Sequence, residues 1–405
     1  MKTDLHATLS NDARAIEATD IIKNCVHCGF CMATCPTYQE LGDERDSPRG
    51  RIDLIKQLLE EGSASDKTRT HLDRCLSCRS CETTCPSGVD YGRLLDIGRH
   101  VVEEQQQRTL IDRVQRRALL WLLPYPKRFT LALRLGQFFA PILPRFLRQK
   151  IPSRQRPLSR PSTPRTRVML ALAGCAQPGA TPNTNAATAR VLDRLEIQLL
   201  EPKSAGCCGA MSHHLSAHKD ALDFARRNID AWWPAIEAGA EAIIATASGC
   251  GTMVKDYGAL LAEDPAYAAK SAKVSELAKD LSEIFQEEDL STLQLEHNQE
   301  KTAIHCPCSL QHAQQLPNTM DAVLSELGFN LVSTTDGHLC CGSAGTYSIL
   351  QPALSEALLD NKLAALSIAD PAQIVTANIG CQMHLASKSI LPVRHWIEII
   401  DEAIT

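Results

Sequence analysis

Eight of the seventeen cysteines stand in two copies of one spacing. Cys25, Cys28, Cys31 and Cys35 run into Pro36, and Cys75, Cys78, Cys81 and Cys85 run into Pro86, each 50 positions after its counterpart. C-x2-C-x2-C-x3-C-P is a spacing that thiolates use to hold [4Fe–4S] clusters, and it constrains the fold more than any other feature of the chain. Three thiolates two residues apart wrap a loop around one cube. The fourth Cys is expected to begin a helix that points elsewhere, and so to serve the other cube. This places Cys25, Cys28, Cys31 and Cys85 on one cluster and Cys75, Cys78, Cys81 and Cys35 on the other. A pair of zinc sites would call for neither the fourth Cys nor the Pro, given twice.

Between the runs, SPRGRIDLIKQLLEEG predicts a helix with Ser47 as N-cap, Pro48 in the first turn and Gly62 as its stop. Helices between cluster loops make residues 1–103 an α-helical, two-cluster ferredoxin-type domain. The remaining cysteines are too many for a cytosolic chain without metal or redox chemistry, and a disulfide framework belongs to short secreted chains. The N-terminal stretch MKTDLHATLSNDARAIEATD has no apolar core, which predicts a cytoplasmic protein. No apolar run reaches the roughly 18–20 residues that span a bilayer. A net charge of −5 gives no pull toward nucleic acid.

Residues 104–166 have no cysteine and read as a basic amphipathic connector. From 105 to 167 there are fifteen Lys/Arg and one acid, Asp112, so this stretch carries +14 and the rest of the chain −19. Leu110, Val114, Ala118 and Trp121 recur on one helical face. Phe129, Phe138, Phe139 and Phe146 follow, and Pro124, Pro126, Pro141 and Pro144 break the helices. IPSRQRPLSRPSTPR then reads as a linker. The apolar face either packs on the chain's own domains or docks on a membrane surface or another protein of the complex.

The other nine cysteines lie in a duplicated unit, residues 167–290 and 300–405. Cys175 precedes Cys308 by 133 positions, Cys207-Cys208-Gly209 precedes Cys340-Cys341-Gly342 by 133, and Cys250 precedes Cys381 by 131. Each copy alternates strands and helices, which predicts parallel sheets and an α/β fold. The cysteines follow the strands' carboxyl ends, the rim where open α/β sheets place ligands. Each copy could therefore gather four thiols: Cys175, Cys207, Cys208 and Cys250, and Cys308, Cys340, Cys341 and Cys381. Three readings compete: a metal cluster, dithiol chemistry at the vicinal pair, or a folded scaffold. Met253 and His384 stand where a C-x-x-C ending would carry a second Cys. Cys306 is an extra thiol, and His213, His305, His312 and His338 lie near the cysteines as hydrogen-bond partners or proton carriers.

Two ferredoxin runs followed by two CCG units resemble the iron–sulfur subunits of flavin-linked dehydrogenases, and the CCG unit resembles the cysteine-rich unit of the heterodisulfide reductases. NCVHCGFCMATCPTYQ (24–39), GCAQPGATPNTNAATARVLDRL (174–195), NIDAWWPAIEAGAEAI (228–243), HCPCSLQHAQ (305–314), HLCCGSAGTY (338–347) and VTANIGCQMHLAS (375–387) are similar to the bacterial glycolate oxidase iron–sulfur subunits. The resemblance covers essentially the whole chain, most loosely over 105–165. It implies two [4Fe–4S] clusters, with a further iron–sulfur cluster in a CCG unit as an open expectation. It implies an FAD-containing partner that oxidises glycolate to glyoxylate, and electron transfer toward quinone from the cytoplasmic face of the inner membrane. No G-x-G-x-x-G opens a helix here, which agrees with a flavin on the partner only. The equivalent subunit for D-lactate or glycerol 3-phosphate, or a heterodisulfide-reductase-like thiol protein, are the alternatives.

Overall fold

The computed structural model describes residues 1–296 and 300–404, with the side chains of Phe146 and Leu147 outside the description. The chain divides into two compact units. The first comprises Met1–Arg117, Gln311–Gln315 and His338–Lys362; the second comprises Ala118–Leu310, Leu316–Gly337 and Leu363–Thr405.

The first unit is helical. Its main helices are α1 (Ala13–Lys23), α2 (Pro48–Glu61), α3 (Asp66–Asp73) and α4 (Tyr91–Gln105). α2 starts and stops as its sequence predicts: the Ser47 side chain accepts from the Gly50 N–H, Pro48 opens the first turn, and Gly62 ends it at φ 68°. Ile52, Ile55, Leu58 and Leu59 lie on one face and meet Ile22, Leu72, Leu94, Leu95 and Val101 in a common core. Each such side chain contributes about 1.5–3 kcal/mol by leaving water. The helices thus form a frame against which the two cysteine loops are pinned.

One local expectation needs correction. Cys35 does cap the helix Pro36–Leu41, but Cys85 ends the helix Ser80–Thr84 and begins none. The chain after it turns through Pro86, Ser87 and Gly88, with Gly88 at φ 61°, and α4 starts only after Asp90 has capped Arg93 N–H.

The second unit holds two four-stranded sheets, all parallel. β1 (Arg167–Ala171), β2 (Ile197–Leu200), β3 (Ile243–Ala245) and β4 (Ala278–Asp280) run in the order β2-β1-β3-β4. β5 (Thr302–His305), β6 (Leu331–Val332), β7 (Gln373–Thr376) and β8 (Val393–His395) run in the order β6-β5-β7-β8. The identical order is the structural form of the duplication, and the expected fold, an α-helical ferredoxin-type region followed by duplicated α/β units with parallel sheets, is the observed one. In each sheet the first strand lies between the second and third, so the chain leaves it in opposite directions. The crevice between β1 and β3, and that between β5 and β7, are topological switch points. β3 and β7 are buried at every position, as strands covered on both faces must be. One core joins Ile197, Ile244, Phe285, Ile304, Val375 and Trp396, with Phe285 and Trp396 edge to face at 5.4 Å.

The basic segment forms α5 (Leu110–Leu122) and α6 (Pro126–Phe139), followed by residues 152–165 without helix or strand. Pro126 opens α6, and neither helix has a buried residue. The stripe Leu110, Val114 and Trp121 is 59–69% exposed, so packing on the chain's own domains is not what this face does.

Candidate metal centres

The two cysteine runs fold into loops of the same shape. His27 and Gly29 in the first, Ser77 and Arg79 in the second, all have positive φ. Such left-handed residues curl the backbone tightly and turn its N–H groups inward. One is seen to bond: Ser77 N–H donates to Cys75 Sγ at 3.4 Å. The loop at 75–81 is held from below by Arg99, which donates to the carbonyls of Leu72 and Cys75.

Two cavities lie inside these loops. The first, about 450 Å³ and partly open to solvent, is lined by Cys25, Cys28, Cys31, Cys81 and Cys85, with Arg49 and Tyr91. The second, about 300 Å³, is lined by Cys35, Cys75, Cys78 and Cys81, with Arg51 and Tyr91. Cys85 lines the first cavity and Cys35 the second. Cys81 and Tyr91 belong to both walls.

The electrostatics fit an iron–sulfur group. Burial, then the neighbouring Cys25, pushes the Cys31 thiol up to about 11. Burial likewise raises Cys81, with Cys78 and Cys75 adding to it. Thiols crowded in this way resist ionising alone, and a bound metal supplies the missing positive charge. Arg51, 1% exposed, lies near Cys75 and Cys35 and donates to His71 O, Thr37 Oγ1 and Asp46 Oδ1. Asp46 is fully buried and is also bonded by His71 Nδ1 and Arg74 Nη1. Arg51 and Tyr91 were not among the residues singled out from the sequence. Arg51 did carry a signal: it falls at i, i+4, i+7 with Ile55 and Leu58, a cation on the buried face of a helix.

In the second unit, four thiols of the first CCG copy come together. Cys175 follows β1 and Cys250 stands in the helix after β3, so both lie at that sheet's switch point. Cys207 hydrogen-bonds with Cys175 and Cys208, and Cys208 with Cys250. The bonds from Cys175 and Cys208 hold the Cys207 thiol well below its usual range, aided by Gly209 N–H and the Arg227 guanidinium. Cys175 and Cys208 are pushed well up, first by the bond to Cys207 and then by further sulfur contact and burial. The loop is fastened by Asn228, which accepts from Gly206 N–H and donates to Cys207 O, and by Tyr257, whose hydroxyl donates to Cys208 O. Arg227 Nε and Nη2 are buried without a hydrogen-bond partner beside this array. An array of buried soft donors with an adjacent unsatisfied cation suits an anionic sulfur-ligated cluster. Met253 is 5% exposed in the apolar core.

The glycine of CCG has a steric cause in both copies. Gly209 has φ 93° and Gly342 φ 86°. A Cβ would stand 2.9 Å from Ala221 O in the first and 2.6 Å from Ser355 O in the second. In each, the glycine N–H donates to the sulfur of the first Cys of the pair at 3.4 Å.

The second copy's cysteines are divided between the units. Cys340 and Cys341, both buried, lie in the first unit with the ferredoxin loops. There Tyr347 donates to Arg74 O at 3.0 Å, and His312 accepts from Thr83 Oγ1 at 2.9 Å while its Nε2–H meets His338 O. In the second unit, Cys306, Cys308 and Cys381 lie at the switch point of β5 and β7, where Asn378 Nδ2 donates to Cys381 Sγ at 3.4 Å and His305 Nδ1 meets Thr376 Oγ1.

A helical pair of four-cysteine loops joined to a duplicated cysteine-rich α/β unit defines an iron–sulfur electron carrier. Known proteins point the same way. The family described as "4Fe-4S dicluster domain" matches residues 21–89, and that described as "Cysteine-rich domain" matches 169–255 and 302–386. The glycolate oxidase iron-sulfur subunit of Escherichia coli (strain K12) is 55% identical over 405 residues, 100% of this chain and 99% of that protein. The probable glycolate oxidase iron-sulfur subunit of Bacillus subtilis (strain 168) is 31% identical over 394 residues, 89% of this chain and 88% of that protein. Lactate utilization protein A of Bacillus velezensis is 25% identical over 211 residues, 51% of this chain and 85% of that protein. The chain belongs to the glycolate oxidase iron–sulfur subunit family, as the non-flavin subunit of an oxidoreductase.

Proposed function

We propose that this protein carries electrons from an FAD-bearing partner, which oxidises glycolate to glyoxylate, toward quinone at the cytoplasmic face of the inner membrane. The observation that carries this reading is the pair of cysteine-lined cavities that share Cys81 and Tyr91. Clusters bound there take up and release electrons one at a time, which splits a two-electron flavin oxidation into single steps. Cys25, Cys28, Cys31 and Cys85 hold one, and Cys75, Cys78, Cys81 and Cys35 the other. Cys175, Cys207, Cys208 and Cys250 hold a third, and the repeat makes Cys308, Cys340, Cys341 and Cys381 the candidate set for its counterpart.

The surrounding residues set the conditions. Tyr91, whose hydroxyl reaches Cys75 Sγ at 3.7 Å, lines both cavities. Arg51 and Arg227 offset thiolate charge, which raises the potential at which each site accepts an electron. Among the described residues no helix is long and apolar enough to cross a membrane, so the membrane contact in this reading is peripheral.

The partial similarity to lactate utilization protein A favours lactate as the second reading. The protein purified anaerobically with its flavoprotein should show cluster reduction by EPR on adding glycolate. Reduction by D-lactate or glycerol 3-phosphate and none by glycolate would overturn the substrate assignment. Disulfide reduction by the isolated chain, abolished by Cys340→Ser with both ferredoxin signals intact, would favour a thiol enzyme.

A further inference from the structure

We propose that α5 and α6 form the surface by which the protein docks on an anionic lipid bilayer. This rests on the membrane reading above and assigns it a surface and a chemistry.

α6 has two dissimilar faces. Phe129 and Thr130 sit against the helix Gln177–Ala180, where a Cβ on Gly179 would come within 2.6 Å of Thr130 Oγ1. Leu131, Leu135 and Phe138 follow at i, i+4 and i+7 and are 63%, 51% and 77% exposed, and Ile142, in the 3-10 turn beyond the helix, is 79% exposed. On α5 the stripe ending at Trp121 is exposed as well. A monomer in water does not normally leave apolar stripes of this kind bare.

Charge identifies what covers it. The segment 105–167 carries +14 against −19 for the remainder. Arg108, Arg116, Arg160, Arg165 and Arg167 are neutralised by carboxylates. Lys127, Arg134, Arg145 and Arg148 have no carboxylate within 4.0 Å among the described residues. Arg128 stacks over Tyr125 at 4.1 Å and Trp121 at 4.7 Å, so an aromatic pair and a cation are held together at the α5–α6 turn. Apolar stripes flanked by aromatics and surplus cations are what an interfacial helix presents to acidic headgroups. At 13 and 14 residues, each helix is about 20 Å long, too short to cross and suited to lying in the plane.

The test is flotation of the full chain, with its clusters reconstituted, on phosphatidylcholine vesicles with and without phosphatidylglycerol. Binding should require phosphatidylglycerol and fall with salt. The triple variant K127Q/R134Q/R145Q should weaken it on the order of a hundredfold, at about fivefold per cation. L135E/F138E should abolish it with iron content unchanged. Equal binding by the variants, or none by the wild type, overturns the proposal. So does normal vesicle binding by L135E/F138E with loss of co-purifying flavoprotein, which would make the face a protein–protein contact. Vesicle binding that persists while glycolate fails to reduce the clusters would instead overturn the substrate reading and leave the docking surface standing.

Discussion

Replacing Arg51 by Met tests whether the second cavity is built around a buried cation. The guanidinium is 1% exposed and donates to His71 O at 2.8 Å, Thr37 Oγ1 at 3.1 Å and Asp46 Oδ1 at 3.4 Å. Methionine fills much of the volume, so the loss is mainly polar. It removes one of three partners of Asp46, itself 0% exposed, and leaves that carboxylate to His71 and Arg74. Breaking a buried pair on one side costs about 3–5 kcal/mol. A domain's whole stability is roughly 5–15 kcal/mol, so this is a large share of it. At about 4–8 °C per kcal/mol for a domain near 100 residues, the melting midpoint of the helical unit should fall by at least about 12 °C. Arg51→Lys, which keeps the charge and loses the fork, should lie between. R51M/D46N should depart from the sum of the two single losses, because Arg51 and Asp46 are in direct contact. The assays are thermal melting by circular dichroism and EPR of the reconstituted protein. A midpoint within about 3 °C of wild type, with both ferredoxin signals unchanged, would refute the role given to Arg51.

Gly209→Ala and Gly342→Ala force a Cβ at positive φ, an intrinsic cost of about 1–2 kcal/mol before the clash with Ala221 O or Ser355 O is added. Gly209→Ala should cost iron from the first CCG site while the ferredoxin signals persist, and full iron retention would contradict the loop geometry. Cys207→Ser should remove the same iron, with no change at the other clusters by EPR. His395 is fully buried, its Nε2–H donating to Thr246 O and its Nδ1 accepting from Ile397 N–H, and burial holds it neutral down to about pH 4. The unfolded chain binds that proton from about pH 6.5. Between these values the unfolded state holds more protons, so stability falls as pH falls, by up to about 3 kcal/mol. Urea denaturation from pH 7 to pH 4.5 should show this slope and His395→Gln should flatten it; an equal slope in both would exclude His395 as its source.

The legible parts of the molecule were those written in local spacing. Two C-x2-C-x2-C-x3-C-P runs and a CCG repeat at constant offset specify loops, and the strand-ending cysteines specify a sheet rim. β4 and β8 were not legible. They are three-residue segments, AKD and VRH, that become strands only because β3 and β7 offer an open edge. The helix expected after Cys85 was lost to a Pro-Ser-Gly turn that outweighs the analogy with Cys35. Tyr91, Asn228 and Tyr257 serve the sites through long-range contacts that no periodicity encodes. The placement of His338–Lys362 with the ferredoxin helices is of the same kind, set by Tyr347 on Arg74 and His312 on Thr83.

The most direct test is iron and acid-labile sulfide per chain, with EPR, on protein purified without oxygen. Two ferredoxin-type clusters account for about eight irons. With the first CCG site filled, the content should exceed eight, and Cys175→Ser should lower it with both ferredoxin signals intact. A wild-type content of about eight would contradict a cluster at the CCG site, and a colourless, iron-free protein would contradict electron transfer altogether.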